Sequence, residues 1–130
     1  MQIKAEIRTK MLARRGVLLP DERLHACASL CEKLQHIPLL EHSVIASYHA
    51  IREEVDVSAY VSHLWHLGKS VCLPVISKPE RILKFIDYSE SSLLEQSDFG
   101  VMHPVGGALL NPTMLLVPLL AFDRRGYRLG

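Results

Sequence analysis

The first residues suited to chemistry are two cations near the amino terminus. Lys4 and Arg8 are four residues apart, a spacing that places both side chains on one face of a helix, one turn apart. Two such cations repel each other mildly, whereas a polyanion such as a triphosphate would bind both, with the guanidinium gripping it bidentately. A solvated helix face explains the same spacing, and on spacing alone it is the preferred interpretation.

A second candidate group lies in the segment YHAIREEVD, residues 48–56. Glu53 and Glu54 follow a predicted strand and are therefore expected in a loop, where binding residues concentrate. A carboxylate there could accept hydrogen bonds from an aminopyrimidine-like ring, whose donors lie side by side. Both glutamates could equally be solvated loop charges. Asp56 is better placed to cap the next helix than to contact a ligand.

The closing stretch LLVPLLAFDRRGYRLG combines a buried strand, a turn and several arginines. Asp123 with Gly126 three residues later is typical of a turn. Arg128, Leu129 and Gly130 could begin a glycine loop that binds phosphate through backbone amides. One glycine does not make such a loop, so this interpretation needs support from elsewhere in the chain.

The histidines and cysteines form no recognised metal or nucleophile motif. His63 and His66 are three residues apart on one predicted helix, and Cys27 and Cys31 are four apart on another. Neither pair belongs to a set of four ligands at a known spacing, and no nucleophile elbow occurs. We therefore assign no catalytic side chain and no metal ligand, and we interpret both cysteines as small core residues.

The elements that must position these residues alternate along the chain. Apolar periodicity predicts helices over residues 2–15, from Pro20 to before Pro38, and from Asp56 to Gly68. Strands are predicted over four segments, the last of them buried on both faces: 43–49, 70–76, 81–88 and 113–122. Residues 89–110 are predicted to be irregular.

This order of elements predicts an α/β fold. We expect a three-layer sandwich around a mostly parallel sheet, as a single domain over residues 1–130. Ligands of such sheets bind beyond the carboxyl ends of the strands. Three predicted loops leave strands at that end: 49–55, 76–80 and 123–130. The acidic segment and the closing stretch are therefore expected at one edge of the sheet.

Composition excludes several classes of function. The chain has 130 residues, of which 48% are hydrophobic, enough for one domain with a core. A net charge of +1 and 6% aromatic residues argue against nucleic-acid and membrane partners. The amino terminus lacks the apolar region of a secretory signal. Three cysteines, an odd number, indicate the reducing cytoplasm rather than a disulfide framework.

Five segments, taken in order, resemble the 5-formyltetrahydrofolate cyclo-ligase family, also called methenyltetrahydrofolate synthetase. They extend from Lys4 to Gly130, and their sequences are KAEIR, YHAIREEVD, HLGKSVCLPV, FGVMHP and VPLLAFDRRGYRLG. The last segment is the most specific, because family members typically show FD-x-x-G-x-RLG followed by a glycine-rich loop.

The resemblance implies an enzyme that uses ATP and Mg²⁺ to convert 5-formyltetrahydrofolate to 5,10-methenyltetrahydrofolate, with release of ADP and phosphate. In the scheme accepted for the family, ATP phosphorylates the formyl oxygen, N10 of the folate attacks the activated carbon, and phosphate leaves. Phosphoryl transfer of this kind depends on positioning and charge neutralisation rather than on a protein nucleophile. A monomer is expected.

The resemblance also implies roles for individual residues. Glu54 matches the acidic residue that holds the folate, and His49 matches a position that lines the same pocket. The ATP contacts of the family match five positions here: Lys4, Arg8, Arg128, Leu129 and Gly130. This match reverses the preference for a solvated face at the amino-terminal pair of cations.

Two departures from the family pattern keep other functions open. His103 stands where the family usually has glutamate before a proline. The glycine-rich loop, with the aspartate that resembles the Mg²⁺ ligand, is expected beyond Gly130, so we expect the C-terminal part of the fold to be missing and an apolar edge or face to be exposed. The alternatives are a truncated, non-catalytic folate-binding or interaction remnant, and another enzyme on a similar scaffold, such as a sugar-phosphate isomerase or a CoA-transferase-like protein.

Overall fold

The computed structural model describes residues 2–77, 80–98 and 100–130. Its helices are α1 (Gln2–Gly16), α2 (Pro20–Leu34) and α3 (Ser58–His66). Its strands are β1 (Val44–Ala46), β2 (Ser70–Ser77), β3 (Ile82–Asp87), β4 (Leu94–Gln96), β5 (Met102–Pro104), β6 (Met114–Leu115), β7 (Ala121–Phe122) and β8 (Arg128–Leu129). None of the helices in these ranges has the length and apolarity needed to cross a membrane.

The central sheet has the strand order β3-β2-β1-β6. Strand β1 runs parallel to both β2 and β6, so that Ile45 lies opposite Val71 on one side and Met114 on the other. Strand β3 is antiparallel to β2 at the edge. Strands β4–β5 and β7–β8 form two separate antiparallel pairs. The prediction of an α/β domain with a mostly parallel sheet is confirmed.

The core lies on the face of the sheet that α3 covers. Side chains alternate between the two faces of a strand, and Ile45 and Val71 both point towards this helix. Tyr60, Val61 and Leu64 of α3 pack against them, because positions i, i+1 and i+4 fall on one side of a helix. Each of these five residues is at most 4% exposed. This packing fixes β1, and with it the loop that follows β1.

Replacing Leu64 with alanine is expected to lower the free energy of unfolding by about 3 kcal/mol, because the side chain is fully buried and its loss leaves a cavity. Leu67, at the end of the same helix and 55% exposed, offers a matched control whose replacement by alanine should cost less than about 1 kcal/mol. Urea denaturation measures both. Equal losses in the two variants would contradict this description of the core.

The other face of the sheet is also apolar. Successive side chains of a strand point to opposite faces of the sheet, and this alternation places Pro74 and Phe85 on the second face. Ala46 and Leu115 lie on the same face. The β4–β5 pair contacts β2 and β3, and Val101, which precedes β5, lies with Pro74 and Phe85 around one cavity. That cavity is the first part of the candidate site.

The prediction of one strand over residues 113–122, buried on both faces, is wrong. Only Met114–Leu115 pairs with the sheet, and Ala121–Phe122 belongs to the separate pair with β8. The exposed side chains of this segment include Val117 at 46% and Phe122 at 78%. Strand β6 ends the sheet's strand order and so has a single neighbour, and Pro118 lacks the N–H that would extend a ladder.

Three smaller predictions also differ from the structure. The predicted strand 43–49 is only three residues long, because the chain turns into the polar loop after Ala46. The region 89–110 is not entirely irregular, since it contains the β4–β5 pair. The apolar periodicity that predicts α2 would also bury Leu24, but Leu24 is 69% exposed, whereas Cys31 of the same helix is buried. The loop predicted over residues 76–80 includes residues 78 and 79, which lie outside the described residues.

Candidate functional site

A cavity of about 260 Å³ lies at the carboxyl end of β1, on the sheet face opposite α3. We call it the Glu54 cavity. Its walls are mostly apolar, and its polar groups come from the segment after β1: Ser47, Tyr48, His49 and Glu54. The remaining lining residues are Ala46, Ile51, Pro74, Leu83, Phe85, Val101, Leu115, Leu116, Val117 and Pro118. Apolar walls with a few polar groups at one end are typical of a site for a flat, partly polar ligand.

The loop that carries Glu54 is held by its own hydrogen bonds. One carboxylate oxygen of Glu54 accepts from the Ile51 amide at 3.0 Å, and the Glu54 amide donates to the Ile51 carbonyl, also at 3.0 Å. The Tyr48 hydroxyl donates to the Val55 carbonyl at 2.7 Å. These contacts close a compact turn that leaves the Glu54 carboxylate among the residues that line the cavity.

Two residues of this loop have unusual backbone conformations. Arg52 and Glu53 have φ angles of 48° and 66°, in the left-handed region that side-chain-bearing residues seldom adopt. Each such residue costs about 1–3 kcal/mol unless the surroundings enforce it, and such strain concentrates at ligand-binding segments. The strain therefore marks residues 51–54 as a segment whose shape is maintained by contacts from other parts of the molecule.

Tyr48 is the most strongly perturbed titratable group in this region. Burial, reinforced by the nearby negative charge of Glu54, raises the pKa of Tyr48 from 10.0 to about 12. Its phenol is therefore neutral at physiological pH and acts as a hydrogen-bond donor towards the loop. The side chain supports the shape of the Glu54 cavity rather than contributing a charge to it.

Stability should depend on Tyr48 at alkaline pH. The pKa is raised in the folded state, so this contribution is complete below pH 10 and is lost as the pH rises towards about 12. The difference in unfolding free energy between wild type and Tyr48→Phe should shrink over that interval, as measured by urea denaturation at a series of pH values. Tyr127→Phe, at a residue that is 68% exposed, is the control. A pH-independent difference for Tyr48→Phe would refute this assignment.

A second cavity, of about 350 Å³, lies between α1 and the β7–β8 pair. We call it the Lys4 cavity. It gathers three cations, which are Lys4, Arg125 and Arg128, and it is completed by Ile7, Ala121, Phe122, Asp123, Tyr127 and Leu129. Helix α1 supplies one wall and the hairpin supplies the other. An excess of positive charge in a concave site favours a polyanion such as a phosphate chain.

The hairpin of this cavity is shaped by Asp123. One oxygen of its carboxylate accepts from the backbone amides of Arg125 at 2.9 Å and Tyr127 at 3.1 Å, and its other oxygen pairs with the Arg125 side chain at 3.3 Å. Gly126 follows with a φ of 88°. The predicted turn over Asp123 and Gly126 is confirmed. Because β7 lies outside the central sheet, the expectation that this loop leaves a strand of that sheet is wrong.

Gly130 occupies a position that only glycine tolerates. Its φ is 96°, and a Cβ atom built there would lie 3.0 Å from the Leu120 side chain and 3.1 Å from the Leu120 amide nitrogen. The Leu129 carbonyl accepts from that same amide at 2.9 Å. The end of the hairpin thus packs tightly on the segment that leads back towards the Glu54 cavity.

The structure brings some of the predicted site residues together. Glu54 and His49 line one cavity, and Lys4, Arg128 and Leu129 line the other. Arg8 is exposed on α1 and is not among the lining residues, and Gly130 lies beside the lining residue Leu129. The two cavities are joined by the chain itself, since Pro118 lines the first and Ala121 lines the second.

The described residues form no preassembled cluster of metal ligands. Asp123 is the carboxylate at the Lys4 cavity, and its oxygens are already engaged by backbone amides and by Arg125. Within residues 2–77, 80–98 and 100–130, no three histidine, cysteine, aspartate or glutamate side chains cluster as metal ligands would. Cys27, Cys31 and Cys72 are free thiols. The prediction that Cys27 and Cys31 are core residues is confirmed for Cys31, whereas Cys27 is only partly buried.

Sequence reasoning missed the residues that support the loop. Arg15, in the last turn of α1, donates to the Arg52 carbonyl at 2.8 Å, and Arg23 of α2 donates to the Glu53 carbonyl at 3.3 Å. It also missed the sulfur atoms of Cys27 and Cys31, which contact the Asp56 amide and carbonyl. The positive charge at the end of α1 was the available signal, but such residues are usual at a helix C-terminus.

Comparison with known sequences gives a consistent result. A sequence model of the 5-formyltetrahydrofolate cyclo-ligase family matches residues 1–130. The chain is 32% identical over 136 residues to the 5-formyltetrahydrofolate cyclo-ligase of Haemophilus influenzae, with 99% of this chain and 73% of that protein covered. It is 28% identical over 125 residues to the 5-formyltetrahydrofolate cyclo-ligase of Escherichia coli K12, with 90% of this chain and 68% of that protein covered.

Two solved structures resemble the fold. The 5,10-methenyltetrahydrofolate synthetase of Aquifex aeolicus matches with a TM-score of 0.84 and 29% identity, over 98% of this chain and 66% of that one. The corresponding synthetase of Mycoplasma pneumoniae matches with a TM-score of 0.74 and 22% identity, over 98% of this chain and 70% of that one, which is a likeness of fold alone. The chain thus spans just under two thirds of the Aquifex chain.

Proposed function

Because the chain belongs to the 5-formyltetrahydrofolate cyclo-ligase family, a family of ligases, we propose that the complete protein converts 5-formyltetrahydrofolate to 5,10-methenyltetrahydrofolate at the expense of ATP. ADP and phosphate are the other products. The observation that carries this proposal is the pairing of two cavities, one apolar with a carboxylate and one cationic, along a single stretch of chain.

Glu54 and His49 are the proposed folate-binding residues. The pterin ring of a folate presents neighbouring N–H donors, for which a carboxylate is a natural double acceptor. Glu54 is one of the residues that line a cavity whose other walls include Phe85, Leu115 and Val117, which supports burial of a flat ring there with its polar edge towards the acid. Tyr48 is neutral there and can only offer or accept a hydrogen bond.

The proposed ATP-binding residues are Lys4, Arg8, Arg128, Leu129 and Gly130. Lys4 and Arg128 lie around the same cavity, which supports a shared phosphate ligand. Arg8 is one helical turn from Lys4, within reach of a chain of phosphates that extends along α1. Mg²⁺ is part of the proposal as the ion that accompanies ATP, whose phosphate oxygens would supply several of its ligands.

In the proposed reaction, the formyl oxygen of the folate attacks the γ-phosphorus and displaces ADP. N10 then attacks the formyl carbon and closes the five-membered ring, its proton is released to the departing phosphate or to water, and the oxygen leaves as inorganic phosphate. The protein's part is to hold the two substrates in line and to neutralise the phosphate charge, since no nucleophilic side chain is required. Lys4 and Arg128 are the residues proposed to do this at the phosphates.

Isotope labelling tests this route directly. When the formyl group carries ¹⁸O, the label should appear in inorganic phosphate, where it shifts the phosphorus NMR signal. Label found in water and not in phosphate would rule out phosphorylation of the formyl oxygen. A folate-binding remnant without catalysis is the alternative, and binding of 5-formyltetrahydrofolate with no ATP turnover by the complete protein would favour it.

The cellular setting and the assembly state are also part of the proposal. Three free thiols support a reducing cytoplasm as the location, and a monomer is the proposed working form. Analytical ultracentrifugation of the complete protein checks the assembly state.

A further inference from the structure

We propose that Arg15 and Arg23 are positioning residues that hold Arg52 and Glu53 in left-handed backbone conformations and thereby place Glu54 in its cavity. The inference concerns how the loop is shaped. It rests on the proposed function only in so far as the ligand that Glu54 receives is 5-formyltetrahydrofolate.

The contacts are specific to backbone carbonyl groups. Nη2 of Arg15 donates to the Arg52 carbonyl at 2.8 Å, and Nη1 of Arg23 donates to the Glu53 carbonyl at 3.3 Å. These two carbonyls belong to consecutive residues, and these are the two loop residues with positive φ angles. Each guanidinium contacts a backbone carbonyl rather than a carboxylate. The arginines therefore fix the conformation of the backbone and do not simply pair with a negative side chain.

Arg23 also ties the loop to α1. Its Nη2 donates to the Arg15 carbonyl at 3.0 Å, a group in the last turn of α1 that has no partner further along the helix. One guanidinium thus joins the end of α1 to the loop, with two donors in a fixed planar arrangement. Lysine has a single charged nitrogen and cannot span both carbonyls in the same way.

The two arginines and the carbonyl groups that they contact are far apart in the sequence. Arg15 and Arg23 are 37 and 30 residues from the carbonyl groups they contact, so local folding does not produce the contacts. Gly16 lies against the same loop, since a Cβ atom there would be 3.5 Å from a carboxylate oxygen of Glu53. The end of α1 and the start of α2 together form a support for residues 52 and 53.

Two measurements on the purified protein test the inference. The first is amide hydrogen exchange at Ile51 and Glu54, whose N–H groups are bonded within the turn. The second is the dissociation constant of 5-formyltetrahydrofolate by calorimetry. Arg23→Gln should accelerate exchange at both amides and weaken folate binding roughly tenfold, because a charged donor is lost. Arg23→Lys should lie closer to Arg23→Gln than to the wild type.

Matched variants separate positioning from general stability. Arg14→Gln removes a neighbouring exposed charge at the end of α1 and should leave both measurements unchanged. In the Arg23→Gln background, Glu53→Gly should restore much of the folate affinity, because glycine adopts positive φ without outside support. In Arg23→Gln, the KM for the folate should rise while the KM for ATP stays near the wild-type value.

The outcomes are distinct. Unchanged exchange at Ile51 and Glu54 in Arg23→Gln would overturn the positioning role, as would a loss of folate affinity that Glu53→Gly does not recover. If the wild type binds no 5-formyltetrahydrofolate, the proposed function fails, whereas the exchange measurement still decides whether Arg23 holds the loop.

Discussion

Glu54→Gln is expected to weaken binding of 5-formyltetrahydrofolate by about one to two orders of magnitude. Glu54 is half-buried and lines a mostly apolar cavity, and a charge-assisted hydrogen bond from its carboxylate to the ligand would contribute about 1.5–3 kcal/mol. Glutamine keeps the size and one oxygen, so the bond to the Ile51 amide can survive, but it places an N–H₂ group where the ligand also presents donors. The variant should therefore fold normally and lose affinity.

The control for this prediction is Glu53→Gln, which removes the adjacent exposed charge. It should bind the folate like the wild type, because Glu53 is not among the residues that line the cavity. Calorimetry gives both dissociation constants, and thermal unfolding confirms that both variants are folded. An unchanged dissociation constant in Glu54→Gln would show that the folate binds elsewhere.

The double variant Lys4→Ala/Arg128→Ala is expected to raise the KM for ATP by at least about 100-fold. The two cations face the same cavity from α1 and from β8, and each is expected to contribute about 1.5–3 kcal/mol through bonds to phosphate oxygens. The KM for the folate should change little, because neither residue lines the Glu54 cavity. Steady-state kinetics at saturating folate measures the effect.

Lys10→Ala/Arg14→Ala is the charge-matched control for that experiment. Both residues are exposed on α1 and remain outside the set that lines the Lys4 cavity. This control should keep the ATP affinity within about threefold of the wild type at physiological salt, where exposed charges are screened. If the two double variants lose ATP affinity equally, net charge and not the Lys4 cavity governs nucleotide binding.

The features that the sequence predicted well depend on local patterns. The apolar spacing of Tyr60, Val61 and Leu64 predicts α3 and its buried face, because a 3.6-residue period is set by nearby residues. Strand β2 was predicted for a similar reason, as a short run of β-branched and apolar residues between a glycine and a proline-containing turn. The turn over Asp123 and Gly126 follows from side-chain chemistry within four residues.

The features that the sequence did not predict depend on distant contacts. Residues 113–122 are apolar enough for a strand buried on both faces, but burial requires neighbours, and in the part of the chain that the structure describes β6 pairs with β1 alone. The support for residues 52 and 53 comes from Arg15 and Arg23, which local patterns interpret as ordinary surface charges. The apolar periodicity of a sequence does not indicate which backbone carbonyl a distant arginine will contact.

In the candidate site, too, some features follow from local sequence patterns and others depend on contacts between distant residues. Glu54 could be selected because it follows a strand in a loop, whereas the apolar wall opposite it is assembled from Pro74, Phe85 and Leu115 on three different strands. Lys4 could be paired with Arg8 by helical spacing. Its position beside Arg128 depends on the packing of α1 against the β7–β8 pair, which only the structure reveals.

The most direct test of the account is turnover by the complete protein made from its natural gene. Given 5-formyltetrahydrofolate, ATP and Mg²⁺, it should form 5,10-methenyltetrahydrofolate with one ADP released per product, and no product should form when ATP is omitted. Tight binding of the folate without ATP-dependent formation of the methenyl product would contradict the account and identify a binding protein instead of a ligase.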